Sequence, residues 1–125
     1  NRLSIGVQSL SDDVLKFLGR VHNSKTARQA ITRAIKIFEN INCDIMLVGQ
    51  SAESVAKDIE YLSDSGVKHI SCYMLQIEEG TPFYDRYIKK GVCAVCRARG
   101  YNQILRRRTC RLVFVCYSKT KKFGI

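Results

Sequence analysis

Three short apolar runs, separated by stretches whose apolar residues recur every three or four positions, constrain this chain more than any other feature. Leu3, Ile5 and Val7 alternate along a first strand, residues 41–47 form a second, and residues 67–75 form a third. Two helical stretches separate the first strand from the second, and one separates the second from the third. Connections of that length join parallel strands, so the order predicts an α/β sheet of about three parallel strands. Three strands leave two bare edges, which neighbouring chain or the tail has to cover. The alternation starts at the first residue, so a preceding segment is expected.

The helices are legible from their ends. Ser11 is expected to cap the first, with Asp12 and Asp13 in its first turn, Val14, Leu15 and Leu18 on one face, and Gly19 as its stop. After Arg20 and His22, either Asn23 or Ser24 caps a second helix, whose stripe is Ala27, Ala30, Ile31, Ala34 and Phe38. The third runs from Ser51 to about Ser65 on Ala52, Val55, Ala56, Ile59 and Leu62, and stops at Gly66.

Two polar residues stand out against the apolar strands. Gln8 falls at the carboxyl end of the first strand, where loops and helix N-termini of parallel folds converge on ligands. The plainer role for it is to satisfy loop backbone groups. Gly6 would let another backbone approach closely. Asp44 lies within the second strand, where a carboxylate needs a partner or a ligand; capping the neighbouring loop is its plainer role.

Composition divides the chain near Gly91. Residues 1–91 carry 12 Lys and Arg against 11 Asp and Glu, whereas residues 92–125 carry 9 basic residues, no acid and four of the six cysteines. Arg97, Arg99, Tyr101, Arg106, Arg107, Arg108 and Phe123 could grip phosphates and stack on bases. Cys93, Cys96, Cys110 and Cys116 could form a four-thiolate zinc site, although the second spacing is wide for one. Against these readings stands a basic, cysteine-containing tail that is frameshifted or disordered, and nucleic acid is the less favoured partner. Residues 112–117 could form a strand in any case.

The run from Asn1 to Ser9, followed after a short helix by Leu18, Gly19, Arg20, Val21 and His22, closely resembles the middle of a radical S-adenosylmethionine (radical SAM) protein. The group is that of the oxygen-independent coproporphyrinogen III oxidases, HemN-like proteins, and within it the HemW-type heme chaperones. Glu79, Gly80, Thr81, Pro82, Phe83 and Tyr84 resemble an element typical of the chaperone branch. The likeness covers residues 1–91. It implies part of a radical SAM domain, a partial (β/α) TIM-like barrel, followed by an irregular tail over residues 92–125.

Family members hold a four-iron [4Fe-4S] cluster on a Cys-x3-Cys-x2-Cys motif, whose open iron binds the methionine end of S-adenosylmethionine. By resemblance, Arg20 matches the arginine that pairs with the methionine carboxylate. Gln8 and Asp44 match polar residues that reach the cofactor, with its ribose hydroxyls as their target, and Met74 matches a position whose backbone lies along the adenine. His22 and His69 match no heme-ligand position and are not assigned one. The resemblance further implies heme or porphyrin as bound partner, a heme-acceptor protein as recipient, and porphyrin metabolism as setting.

This sequence departs from the family in two places. No pair of its cysteines is separated by three residues, so the cluster ligands are absent and the chain alone is expected to be inactive. After Asp44 the family turn is longer and contains a proline, whereas residues 45–50 are shorter and lack it. Oxidative decarboxylation of coproporphyrinogen is the alternative activity. No apolar run approaches a membrane-spanning length, and the cytoplasm is the expected compartment.

Overall fold

A computed structural model describes residues 1–48, 50–75, 80–88 and 111–115. In chain order the elements are β1 (Arg2–Gln8), α1 (Asp12–Phe17), α2 (Ser24–Ile35), β2 (Asn40–Leu47), α3 (Ala52–Asp64), β3 (His69–Met74), a π-helical turn (Tyr84–Ile88) and β4 (Arg111–Val115). The strands form one sheet in the order β1-β2-β3-β4, and every neighbouring pair is parallel. The expected parallel α/β architecture is therefore present. The sheet is open, with β1 and β4 as its edges.

A fourth strand joins the three expected ones: Arg111–Val115, overlapping the stretch 112–117 read as a possible strand, lines up beside β3 from His69 through Tyr73. This stretch is rich in β-branched and aromatic residues, and pairing with β3 satisfies a backbone edge that would otherwise be bare. The candidate zinc ligands Cys93, Cys96, Cys110 and Cys116, the arginines 106–108 and Glu79 lie outside the described residues.

Strand parity divides the sheet into two faces. Leu3 pairs with Ile41, and Ile5 with Cys43; Cys43 and Ile45 in turn pair with Ile70 and Cys72. These residues share the face covered by Ala27, Ile31 and Ala34 of α2 and Val55, Ile59 and Leu62 of α3, forming one apolar core. Ile31, Leu62 and Ile70 are fully buried within it. The guanidinium of Arg28 lies 3.9 Å above the ring of Tyr61, joining the half-buried flanks of α2 and α3.

Helix ends follow local chemistry. Asn23 rather than Ser24 caps α2, its side chain accepting from the Thr26 N–H at 2.8 Å, and Ser51 caps α3 by accepting from the Ser54 N–H at 3.2 Å. Gly19 and Gly66 adopt the positive φ that ends α1 and α3. Ser11 occupies the cap position of α1 without a side-chain cap bond. Ala30 is exposed rather than part of the α2 stripe. In the shortened turn after β2, the Gln50 side chain accepts from the Val48 N–H at 2.6 Å and donates to the Met46 carbonyl at 2.9 Å, closing the turn without a proline. Among the described residues no helix is long and apolar enough to cross a membrane.

Candidate functional site at the strand tips

Because all four strands run the same way, their carboxyl ends share one rim. At the β1 end the ladder slips between Gly6 and Gln8, so that Gly6 faces Asp44 and Gln8 faces Ile45. The extra residue is a bulge, a device that re-aims the next side chain. Immediately afterwards Ser9 N–H donates to the Val7 carbonyl at 2.8 Å, closing a three-residue γ-turn with Gln8 at its centre. Gln8 has φ 65°, the one positive φ outside glycine among the described residues. An L-residue held there costs about 1–2 kcal/mol, and such strain gathers at functional sites.

The turn is braced from two directions. His22 Nε2 donates to the same Val7 carbonyl at 3.2 Å, in the tautomer that carries its proton on Nε2. From α3, the buried Asp58 accepts from Ser9 Oγ at 2.8 Å and from Leu10 N–H at 3.0 Å, and Ser9 Oγ accepts in turn from Ser11 N–H at 3.1 Å. His22 is thus a tie to the end of β1. The bracing role of Asp58 was missed in the sequence. The residue lies three positions after Val55 and four before Leu62, so a carboxylate standing in the apolar stripe was the available signal.

Gly6 admits a side chain instead of another backbone. A Cβ at Gly6 would stand 3.0 Å from Gln8 Nε2, and among the described residues nothing else lies within 4 Å of it. The Gln8 amide therefore folds back over Gly6, onto the face opposite the helices and beside Asp44, the ladder partner of Gly6.

Asp44 caps no loop. Its two oxygens take one bond each, from Ser4 Oγ at 3.1 Å and from Asn42 Nδ2 at 2.8 Å. Asn42 Nδ2 also donates to Ser4 Oγ at 2.7 Å, while Asn42 Oδ1 accepts from Ser71 Oγ at 3.0 Å. This polar ladder crosses β1, β2 and β3 and fixes the carboxylate plane. An ionised carboxylate has about four acceptor positions, so lone pairs remain for further donors.

The remaining candidates occupy different places. Arg20 is exposed in the α1–α2 connection, its N–H donating to the Leu15 carbonyl at 2.9 Å, two residues before the His22 tie to β1. Met74 ends β3, but its side chain packs against the helix-side core, so only its backbone is offered at the rim. The structure thus brings Gln8 and Asp44 onto one face, puts the Arg20 connection at the β1 end, and turns the Met74 side chain inward.

The described cysteines are core residues. Cys43 and Cys72 are free and fully buried, and burial pushes both thiols up to about 12, with the Asp44 charge adding to the shift at Cys43. Thiols held protonated are poor metal ligands. Among the described residues no group of three His, Cys, Asp or Glu side chains is arranged to hold a metal ion.

No family model matches the chain, and no solved structure matches it. Curated proteins do. The heme chaperone HemW of Buchnera aphidicola (from Acyrthosiphon pisum) is 42% identical over 91 residues, covering 71% of this chain and 24% of that protein. The heme chaperone HemW of Bacillus subtilis is 41% identical over 88 residues, covering 68% of this chain and 23% of that protein. The mitochondrial radical S-adenosyl methionine domain-containing protein 1 of Dictyostelium discoideum is 40% identical over 97 residues, covering 73% of this chain and 22% of that protein. The chain spans about a quarter of the length of these relatives. With such identity to bacterial and mitochondrial relatives alike, the chain belongs to the radical SAM family of the HemW-type heme chaperones.

Proposed function

We propose that residues 1–91 form one side of an S-adenosylmethionine pocket in a HemW-type heme chaperone, built on part of a (β/α) barrel. The observation that carries this reading is that the Gln8 amide, folded over Gly6, and the prearranged Asp44 carboxylate, on the ladder partner of Gly6, stand on one face at adjoining strands. A carboxylate with spare lone pairs suits two neighbouring ribose hydroxyls, and an amide beside it can donate and accept at the sugar or base. The exposed Arg20 guanidinium suits the carboxylate of the methionine end, to which it can present two parallel N–H donors. The Met74 backbone supplies the edge along which the adenine lies.

The described residues offer donors and acceptors suited to the nucleoside, but none suited to the iron–sulfur cluster. Cys43 and Cys72 face the core with protonated thiols, so no chemical step is assigned to the cluster here. When bound, S-adenosylmethionine would supply a sulfonium poised for cleavage or a ligand that regulates the cargo site; this chain's own residues orient its sugar and base. The relatives' names favour heme carriage over coproporphyrinogen oxidation. Heme is therefore the proposed cargo, a heme-acceptor protein its recipient, and the cytoplasm the setting.

The test is an amide-resolved NMR titration of the chain with S-adenosylmethionine. Shifts concentrated at Gln8, Arg20, residues 43–45 and Met74 are expected. Asp44→Ala should weaken binding at least about ten-fold, the loss of a charged hydrogen bond. Adenosine should compete better than 2′-deoxyadenosine against the native chain and no better against Asp44→Ala. Equal competition by both against the native chain would remove Asp44 from the ribose.

A further inference from the structure

We propose that Asp58 is a positioning residue for the nucleoside pocket, a strut that holds Gln8 in its left-handed conformation and thereby aims the Gln8 amide. For its ligand the inference rests on the reading above; for the strain it stands on geometry alone.

Asp58 touches neither Gln8 nor the rim directly. It grips the two residues that follow Gln8, through the Ser9 hydroxyl and the Leu10 N–H, and both bonds end on Oδ2. With His22 Nε2 and Ser9 N–H both on the Val7 carbonyl, the backbone is fixed on each side of Gln8. Gln8 cannot relax to a negative φ without pulling Ser9 or Leu10 away from a buried carboxylate. A relaxed Gln8 would swing its amide off Gly6 and away from Asp44. A glycine at position 8 would adopt the turn without strain, so the glutamine is kept at a cost in stability for what its amide does.

The bond geometry makes a specific demand. Because one oxygen accepts both bonds, the carbonyl of an asparagine can replace it, and the negative charge is not required. Asp58→Asn should therefore retain affinity for S-adenosylmethionine within about two-fold, whereas Asp58→Ala, studied well below its melting temperature, should lose about ten-fold, and Gln8→Ala as much.

A thermal-denaturation cycle on the full chain decides the strain. Gln8→Gly alone should melt a few degrees higher than the native chain, by about the relief of one left-handed residue, while binding S-adenosylmethionine more weakly. In the Gln8→Gly background Asp58→Ala should cost clearly more than in the native background, because only with glutamine at position 8 does losing the strut also release strain. Equal costs in the two backgrounds, or a lower melting point for Gln8→Gly, would overturn the inference even if S-adenosylmethionine binds as proposed. If the native chain fails to bind, the reading of the pocket fails while the cycle still decides the strut. If Asp58→Ala does not fold, Gln8→Gly and Asp58→Asn decide it: loss of affinity in Asp58→Asn with the fold intact would count against the shared-oxygen geometry.

Discussion

The two faces of this sheet differ by one residue of register. Facing the helices, Ile41, Cys43, Ile45 and Leu47 of β2 are buried, and β1 and β3 supply apolar partners. Facing away, Asn42 and Asp44 of the same strand join Ser4 and Ser71 in a chain of side-chain hydrogen bonds. Alternate residues thus serve separate ends, one set excluding water and the other presenting oriented polar atoms. Parity therefore decides what a substitution in β2 disturbs, the packed core on one face or the polar ladder on the other.

Emptying the helix-side face has the largest expected effect. Ile70→Ala, at a fully buried position, should destabilise the chain by about 2–5 kcal/mol, read by urea denaturation. A loss no larger than at an exposed site would mean that the face is not a packed core. On the other face Asn42→Ala should cost about 1–3 kcal/mol, because Asp44 and Ser71 lose a partner. If the division of labour holds, Asn42→Ala also weakens S-adenosylmethionine binding, and a stability loss with unchanged affinity would break it.

The smallest effect sharpens the electrostatic side. The Cys43 and Cys72 thiols are raised from 9.0 to about 12 in the fold, so the stability they contribute is complete below pH 9 and declines as pH climbs toward 12. Between pH 8 and pH 10 the native chain should lose on the order of 1 kcal/mol per thiol. Removing one thiol, as in Cys72→Ala, should flatten the alkaline decline by that amount, and an unchanged slope would show that Cys72 titrates normally.

Much of the framework was legible because it depends on local chemistry. The positive φ of Gly19 and Gly66, the Asn23 and Ser51 caps and the alternation of β1 and β2 all follow from residues adjacent in sequence. What escaped depends on distant partners. A strand at 111–115 could be expected from its composition, but its place beside β3 is a matter of assembly. The left-handed Gln8 was not legible either, since glutamine has no preference for that conformation and the side chains that brace it, Asp58, some fifty residues away, and His22, come from other elements. Asp44 was read as needing a partner; Asn42, two residues away on the same face, was a local candidate, whereas Ser4 comes from β1 and follows only from register.

The outer edge of β1 carries a directional consequence. Any further strand that joins it in the same orientation as the other four delivers its own carboxyl end next to the Gln8 amide, and the helix after that strand would begin on the same side as Arg20. Growth of the sheet in that direction would thus enlarge one mouth rather than create a second, and each added stave would bring its loop within reach of whatever Gln8 and Asp44 hold.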